Sequence, residues 1–102
     1  MGLTIELQDE QGVARQSIID PQNSLEELLP YFDDATHPML SSIDLYGDTV
    51  FNRLQMLLFL AEWTKLSAKA RTPEQRTLVK EIEMLACHCR DEVHLYLKFI
   101  GD

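Results

Sequence analysis

Residues 72–100, TPEQRTLVKEIEMLACHCRDEVHLYLKFI, contain two hydrophobic periodicities, and the change from one to the other indicates the fold class. Thr72, Pro73 and Gln75 have the spacing of a capped helix start. Apolar positions then recur three or four residues apart, which predicts an amphipathic helix that buries Leu78, Ile82, Leu85 and Cys89. Strict alternation follows and predicts a strand that buries Val93, Leu95, Leu97 and Phe99 and exposes His94, Tyr96 and Lys98.

The N-terminal half predicts three further strands and a short helix. Leu3, Ile5 and Leu7 alternate with polar residues, and a turn at Gly12 leads to a returning strand over residues 13–19. A capping-box spacing at Ser24 predicts a short helix over residues 25 to about 32. Alternation at residues 43–45 (Ile, Asp, Leu) predicts a third strand that ends at residues 46–48.

The segment from residue 49 to about residue 70 predicts the longest helix, with Asp48 as its N-cap. Two of its faces are apolar. One face carries Val50, Leu54, Leu57, Leu58 and Ala61, and the other carries Met56, Phe59, Leu60 and Trp63. This pattern favours a helix packed on two sides, between the sheet and another helix. The alternative is that Phe59 and Trp63 form a partner-binding patch.

Together these elements predict a single α+β domain over residues 1–102 in the order β-β-α-β-α-α-β. The economical arrangement is a four-stranded, mostly antiparallel sheet with three helices on one face. Its other face would expose Thr4, Glu6, His94, Tyr96 and Lys98.

Charge is distributed unevenly along the chain. The net charge is −8, and residues 1–48 contain ten acids against one base, Arg15. Such a surface repels phosphate backbones, which argues against direct nucleic-acid binding. It would attract a basic protein and accelerate association at low salt. The alternative is a solvated acidic surface that keeps the protein soluble.

Three features predict a cytoplasmic protein. No apolar run reaches the roughly 20 residues of a membrane span. Residues 1–10 have acids and no base before an apolar stretch, unlike a signal peptide. Cys87 and Cys89 are too few for a disulfide framework.

Catalytic and metal-binding signals are weak. Cys87, His88 and Cys89 form a CxC-type cluster, but a helix directs side chains two positions apart about 200° from each other. We therefore expect a buried Cys89, a less buried Cys87, a surface His88, and no metal or cofactor. The chain contains no glycine-rich phosphate loop and no recognised nucleophile or zinc motif, which argues against an enzyme. A small metal or thiol enzyme is the alternative.

Acidic and aromatic residues near the predicted third strand are the candidate partner-binding site. Carboxylates pair with Arg or Lys, and tyrosine supplies a rigid amphipathic contact surface. The candidate residues are Glu26, Glu27, Tyr31, Asp33, Asp34, His37, Asp44 and Tyr46.

A short, acidic α+β chain with residues 46–52 (YGDTVFN) and 94–102 (HLYLKFIGD) resembles bacterial immunity proteins in its general character over most of its length. These proteins protect cells that carry contact-dependent inhibition systems or other polymorphic toxins. The resemblance implies a non-enzymatic protein that binds one cognate toxin domain, commonly a nuclease, and covers its active site. A basic toxin bound 1:1, with no nucleic acid or membrane as partner, is the expectation. The alternative is an adaptor or regulatory domain that homodimerises through Phe59 and Trp63 or through the exposed sheet face.

Overall fold

The computed structural model describes residues 2–20, 22–30 and 35–101. Four strands, β1 (Thr4–Gln8), β2 (Ala14–Ile19), β3 (Asp48–Asn52) and β4 (Tyr96–Ile100), form an antiparallel sheet in the order β2-β1-β4-β3. Two α-helices, α1 (Met56–Ser67) and α2 (Pro73–Asp91), precede β4. Short 3-10 turns lie at Leu40–Ser42 and Arg53–Gln55. The predicted α+β class and four-stranded antiparallel sheet are confirmed.

The helix predicted over residues 25–32 is wrong, so the described chain has two α-helices, not three. The Asp20 carboxylate accepts hydrogen bonds from the Ser24 and Leu25 backbone N–H groups. A single turn follows, in which the Leu28 and Leu29 N–H groups donate to the Leu25 carbonyl. Pro30 ends it because a residue that precedes proline disfavours the helical conformation. The last two residues of the predicted helix lie outside the described residues.

The third strand begins later in the chain than predicted. Residues 43–45 form a loop, from which the Ile43 side chain reaches the core. The strand β3 spans Asp48–Asn52. Asp48 is therefore a strand residue and not the cap of a helix. Asn52 forms the capping box instead, with Gln55 as its partner. β-branched and aromatic residues at 49–51 favour the strand, and Phe51 faces the core.

Only one face of α1 is buried, and it contacts both the sheet and α2. The prediction that a second face, with Leu57, Leu58 and Ala61, is also packed is wrong because these residues are exposed. Its core face is buried through Met56, Phe59, Trp63 and Leu66. Phe59 lies 5.2 Å from Phe51 and 6.0 Å from Phe99 between ring centroids, which packs α1 against the sheet. The hypothesis that Phe59 and Trp63 form an exposed patch is wrong, since both side chains are fully buried. The described residues supply no third helix to cover the opposite face.

The predictions for α2 and most of β4 are confirmed. Thr72 and Gln75 form the capping box, and the four predicted positions of α2 are buried. Leu97 and Phe99 of β4 are buried in the core, and so is Leu95 just before the strand. Val93 is exposed, contrary to prediction, because α2 ends at Asp91 and His94 takes a φ of 71° that turns the chain before the strand starts.

The sheet face opposite the helices is open. Thr4, Glu6, Tyr96 and Lys98 lie on this face, as predicted, but they are half-buried and not fully exposed. His94 precedes the strand. Within the described ranges, neither helix combines the length and the apolar character that a membrane crossing requires.

Candidate protein-binding site

A groove of about 830 Å³ runs beside β3 and is the candidate site. We call it the acidic groove because three carboxylates, those of Glu26, Asp44 and Asp48, line it. Its apolar walls are formed by Leu29, Pro30, Ile43, Leu45, Tyr46 and Val50. A groove that combines apolar walls with a few charged groups provides both contact area and orientation for a ligand.

A tight turn over residues 44–47 presents Tyr46 to solvent. The Asp44 N–H donates to Thr49 Oγ1 at 2.8 Å, and Asp44 Oδ1 accepts from the Tyr46 N–H at 2.9 Å. The Gly101 N–H donates to the Gly47 carbonyl at 2.8 Å and ties the turn to the end of β4. The Tyr46 side chain is consequently 79% exposed on a well-anchored backbone.

Glu62 of α1 fixes the opposite wall of the groove. Its buried carboxylate accepts from the Leu40 N–H at 2.9 Å and from the Met39 N–H at 3.1 Å. These are free donors at the start of the 3-10 turn, and a carboxylate satisfies them well. Ser41 and Ser42, which line the groove, follow directly.

Several acids of the N-terminal half have internal roles and are not available to a partner. Asp20 is buried and holds the turn that carries Glu26. Asp9 Oδ1 accepts from the Gln11 and Val13 N–H groups and shapes the β1–β2 hairpin. Glu26 is exposed and lines the groove, and it borders a smaller cavity with Tyr46.

The structure brings three predicted site residues together and separates two others. Glu26, Asp44 and Tyr46 share the acidic groove. Glu27 instead accepts from Gln75 Nε2 of α2 at 3.2 Å. His37 lies before the first 3-10 turn, where its carbonyl accepts from the Ser41 N–H. The predictions for Tyr31, Asp33 and Asp34 lie outside the described residues.

Sequence reasoning missed two groove residues, Asp48 and Val50, because it placed them at the start of a helix. In β3, Asp48 forms an ion pair with Lys98 of β4 at 3.4 Å and still faces the groove. The Val50 side chain is 52% exposed. The β-branched and aromatic run at 49–51 was the signal that could have revealed the strand.

A second surface, which we call the leucine patch, comprises Leu54, Leu57 and Leu58. Leu54, in the 3-10 turn before α1, is 76% exposed, and Leu57 of α1 is 78% exposed. Both belong to the apolar face of the predicted long helix that was expected to be buried. Arg53 and Lys65, both exposed, belong to the same stretch of chain. The exposed charged residues nearest to the leucine patch in that stretch are thus basic, whereas those of the acidic groove are carboxylates.

The cysteine cluster has the predicted arrangement. Cys89 is buried, Cys87 is half-buried and His88 is exposed. Burial raises the pKa of the Cys89 thiol to about 11, so this thiol is neutral and a poor nucleophile at physiological pH. Across the ranges that the structure describes, no three His, Cys, Asp or Glu side chains form a metal-binding group.

Comparisons with known proteins add no assignment to this geometry. No model of a protein family matches the sequence, and neither a curated protein nor a solved structure matches the chain.

Proposed function

We propose that this protein is a non-enzymatic inhibitor that binds a basic toxin domain, of nuclease type, through the acidic groove. The binding is protein to protein, in a 1:1 complex, and it covers the toxin's active site. Neither a membrane nor a nucleic acid is the partner in this proposal. It takes the cytoplasm as the compartment, where such a toxin would act on the cell.

The observation that carries the proposal is the placement of exposed apolar residues among carboxylates. Tyr46 and Val50 are exposed at the groove, and Glu26, Asp44 and Asp48 surround them. Interfaces gain most of their energy from a few aromatic anchors, whereas charged rims mainly set specificity and association rate. The groove has both kinds of group, in the half of the chain that carries the excess of acids.

The chemistry of a nuclease explains why this arrangement would inhibit. A nuclease site is lined by cations because it binds a chain of phosphates. Carboxylates can pair with the same Arg or Lys side chains and so compete with substrate. Tyr46, held by the turn over residues 44–47, would contribute apolar area with little loss of conformational freedom.

Neutralising Glu26 and Asp44 together should slow association with the toxin about three- to tenfold at low salt, through loss of steering. Glu26→Gln and Asp44→Asn suit this test because Asn keeps the Oδ1 acceptor for the Tyr46 N–H. The ligand would be the C-terminal domain encoded by a neighbouring toxin-like reading frame, or the basic protein recovered by pull-down. Association rates would be measured between 50 and 500 mM salt.

A matched control changes net charge equally but away from the groove. Glu83→Gln with Glu92→Gln removes two exposed acids of the C-terminal half that do not line the groove. This control should keep most of the wild-type rate. Equal slowing in both double variants would show that total charge, and not the acidic groove, drives association. Capture of no basic protein at low salt would contradict the inhibitor function itself.

The leucine patch favours a second candidate function, an adaptor or regulatory domain that homodimerises. Burying one leucine stabilises a complex by about 1.5–3 kcal/mol. Under this candidate, Leu57→Ser should weaken a dimer at least tenfold, while circular dichroism shows that the monomer stays folded. Analytical ultracentrifugation would test it, with Met84→Ser, an exposed apolar position on α2, as control. A wild-type protein that is monomeric at millimolar concentration would exclude this function.

A further inference from the structure

We propose that the open edge of β3 takes up an extended, basic segment of the partner as a fifth strand of the sheet. This inference rests on the proposed function for the charge of the partner. The new element is the mode of binding. The partner's backbone forms hydrogen bonds along β3, and side chains of the added segment lie in the acidic groove.

The hydrogen-bond register shows which backbone groups of β3 are available. The bond from the Gly101 N–H to the Gly47 carbonyl makes that pair a hydrogen-bonded one. Bonded and non-bonded pairs alternate in an antiparallel ladder, so Thr49 and Phe51 also bond to β4. Asp48 and Val50 therefore direct their N–H and C=O groups away from the sheet. Among the described residues, no backbone or side-chain group bonds to these four groups.

β3 also lacks three of the features that protect many edge strands, namely a bulge, a proline and a lysine. Its pairing with β4 is regular, its sequence (DTVFN) contains no proline or lysine, and Val50 is exposed at its centre. The other edge strand, β2, differs in two respects. Its pairing with β1 is irregular between Leu7 and Gln8, and it carries a cation, Arg15, which would repel a basic segment.

Charge selects the occupant of this edge. Asp48 lies on the strand itself, and Glu26 and Asp44 line the groove beside it. An added segment with lysine or arginine at alternate positions would place those cations toward the carboxylates. A second copy of this chain suits the edge less well, because antiparallel pairing of β3 with itself would bring two acidic grooves together. Strand addition of this kind supplies affinity through main-chain bonds and selectivity through alternate side chains.

The test uses a synthetic probe and the full chain. The probe is an acetylated and amidated hexapeptide of alternating lysine and valine, titrated into ¹⁵N-labelled protein at low salt. Binding should shift the amide signals of Asp48 and Val50 and slow their hydrogen exchange. The same peptide methylated on every backbone nitrogen keeps its charges but has no N–H donors, and it should bind at least tenfold more weakly. A glutamate–valine hexapeptide should not bind.

A second test changes the backbone of β3 and leaves the peptide unaltered. Val50→Pro removes an N–H that β4 does not use, a position where an edge strand tolerates proline. It should reduce probe affinity at least tenfold, while Val50→Thr, which keeps the N–H, should stay within about threefold of wild type. The methylated peptide tests the same bonds without altering the protein, so a folding defect in Val50→Pro would not decide the outcome.

The possible failures are distinguishable. Equal affinity of the methylated and unmethylated peptides would overturn strand addition, yet leave the acidic groove as a binding site for a basic toxin. Protection of the Val50 amide that grows with protein concentration, without peptide, would assign the edge to a second copy and overturn the proposal. Binding of neither peptide would also overturn it, and the separate capture of a basic partner would then decide whether the inhibitor function stands.

Discussion

Replacing Trp63 with alanine should lower the free energy of unfolding by about 3–5 kcal/mol, the usual cost of truncating a fully buried large aromatic side chain. Trp63 is fully buried, and its ring stacks on Phe59 with centroids 5.4 Å apart and 13° between the planes. Its indole N–H also donates to the Val79 carbonyl of α2 at 3.1 Å. The variant would lose packing on both α1 and α2 and leave a cavity between them.

Chemical denaturation in urea would measure this loss, with Leu57→Ala on the same helix as the control. Leu57 is exposed, so its truncation should change stability by less than about 0.5 kcal/mol. A Trp63→Ala protein as stable as the Leu57→Ala protein would contradict the packing of α1. It would also revive the sequence-based hypothesis that Trp63 belongs to an exposed interface.

Replacing Glu62 with leucine should lower the free energy of unfolding by about 2–4 kcal/mol. The carboxylate satisfies the backbone N–H groups of Met39 and Leu40, and leaving a buried donor unpaired costs about 1–3 kcal/mol. Leucine fills a similar volume but offers no acceptor. Because these bonds fix the groove wall at Ser41 and Ser42, the variant should also show faster amide exchange over residues 39–44.

Glu62→Gln is the matched control, since its amide oxygen can still accept from the same donors. It should lose less than half of the stability lost by the leucine variant. Denaturation in urea and hydrogen exchange, measured on all three proteins, separate the contribution of the acceptor from that of the charge. Wild-type stability in Glu62→Leu would mean that water replaces the carboxylate at the 3-10 turn.

The elements that could be predicted from the sequence are those whose signals are local. The capping box at Thr72 and Gln75, followed by regular helical spacing, gave α2 its correct start. Alternation gave β1 and most of β4. The helix over residues 25–32 failed because Pro30 ends the turn after Leu29, and because the Asp20 carboxylate supplies the cap from outside the predicted box.

The beginning of α1 shows a different kind of failure. Apolar spacing continues from α1 back through Val50, so it predicts one long helix over residues that in fact form β3 and a 3-10 turn. The pairing of Val50 with Lys98 on β4 decides between strand and helix. That partner lies far along the chain, and no local pattern reveals it.

The candidate site was predictable in part for the same reason. Glu26, Asp44 and Tyr46 were identified as acids and aromatics near loops, and they do share a groove. The sequence pattern does not distinguish Glu26 from its neighbour Glu27. In the structure Glu26 lines the groove, whereas Glu27 accepts a hydrogen bond from Gln75 of α2. The open edge depends on strand order, which places β3 last in the sheet.

The central position of β4 has a consequence for how the chain folds. β4 pairs with both β1 and β3, and its contact between Thr4 and Ile100 joins residues 96 positions apart. The β1–β2 hairpin can form before β4 has been synthesised. The four-stranded sheet cannot, because β4 lies between β1 and β3. Closing so long a loop slows folding. Until β4 pairs, both β1 and β3 have an unpaired edge, and a chain in that state is prone to aggregate.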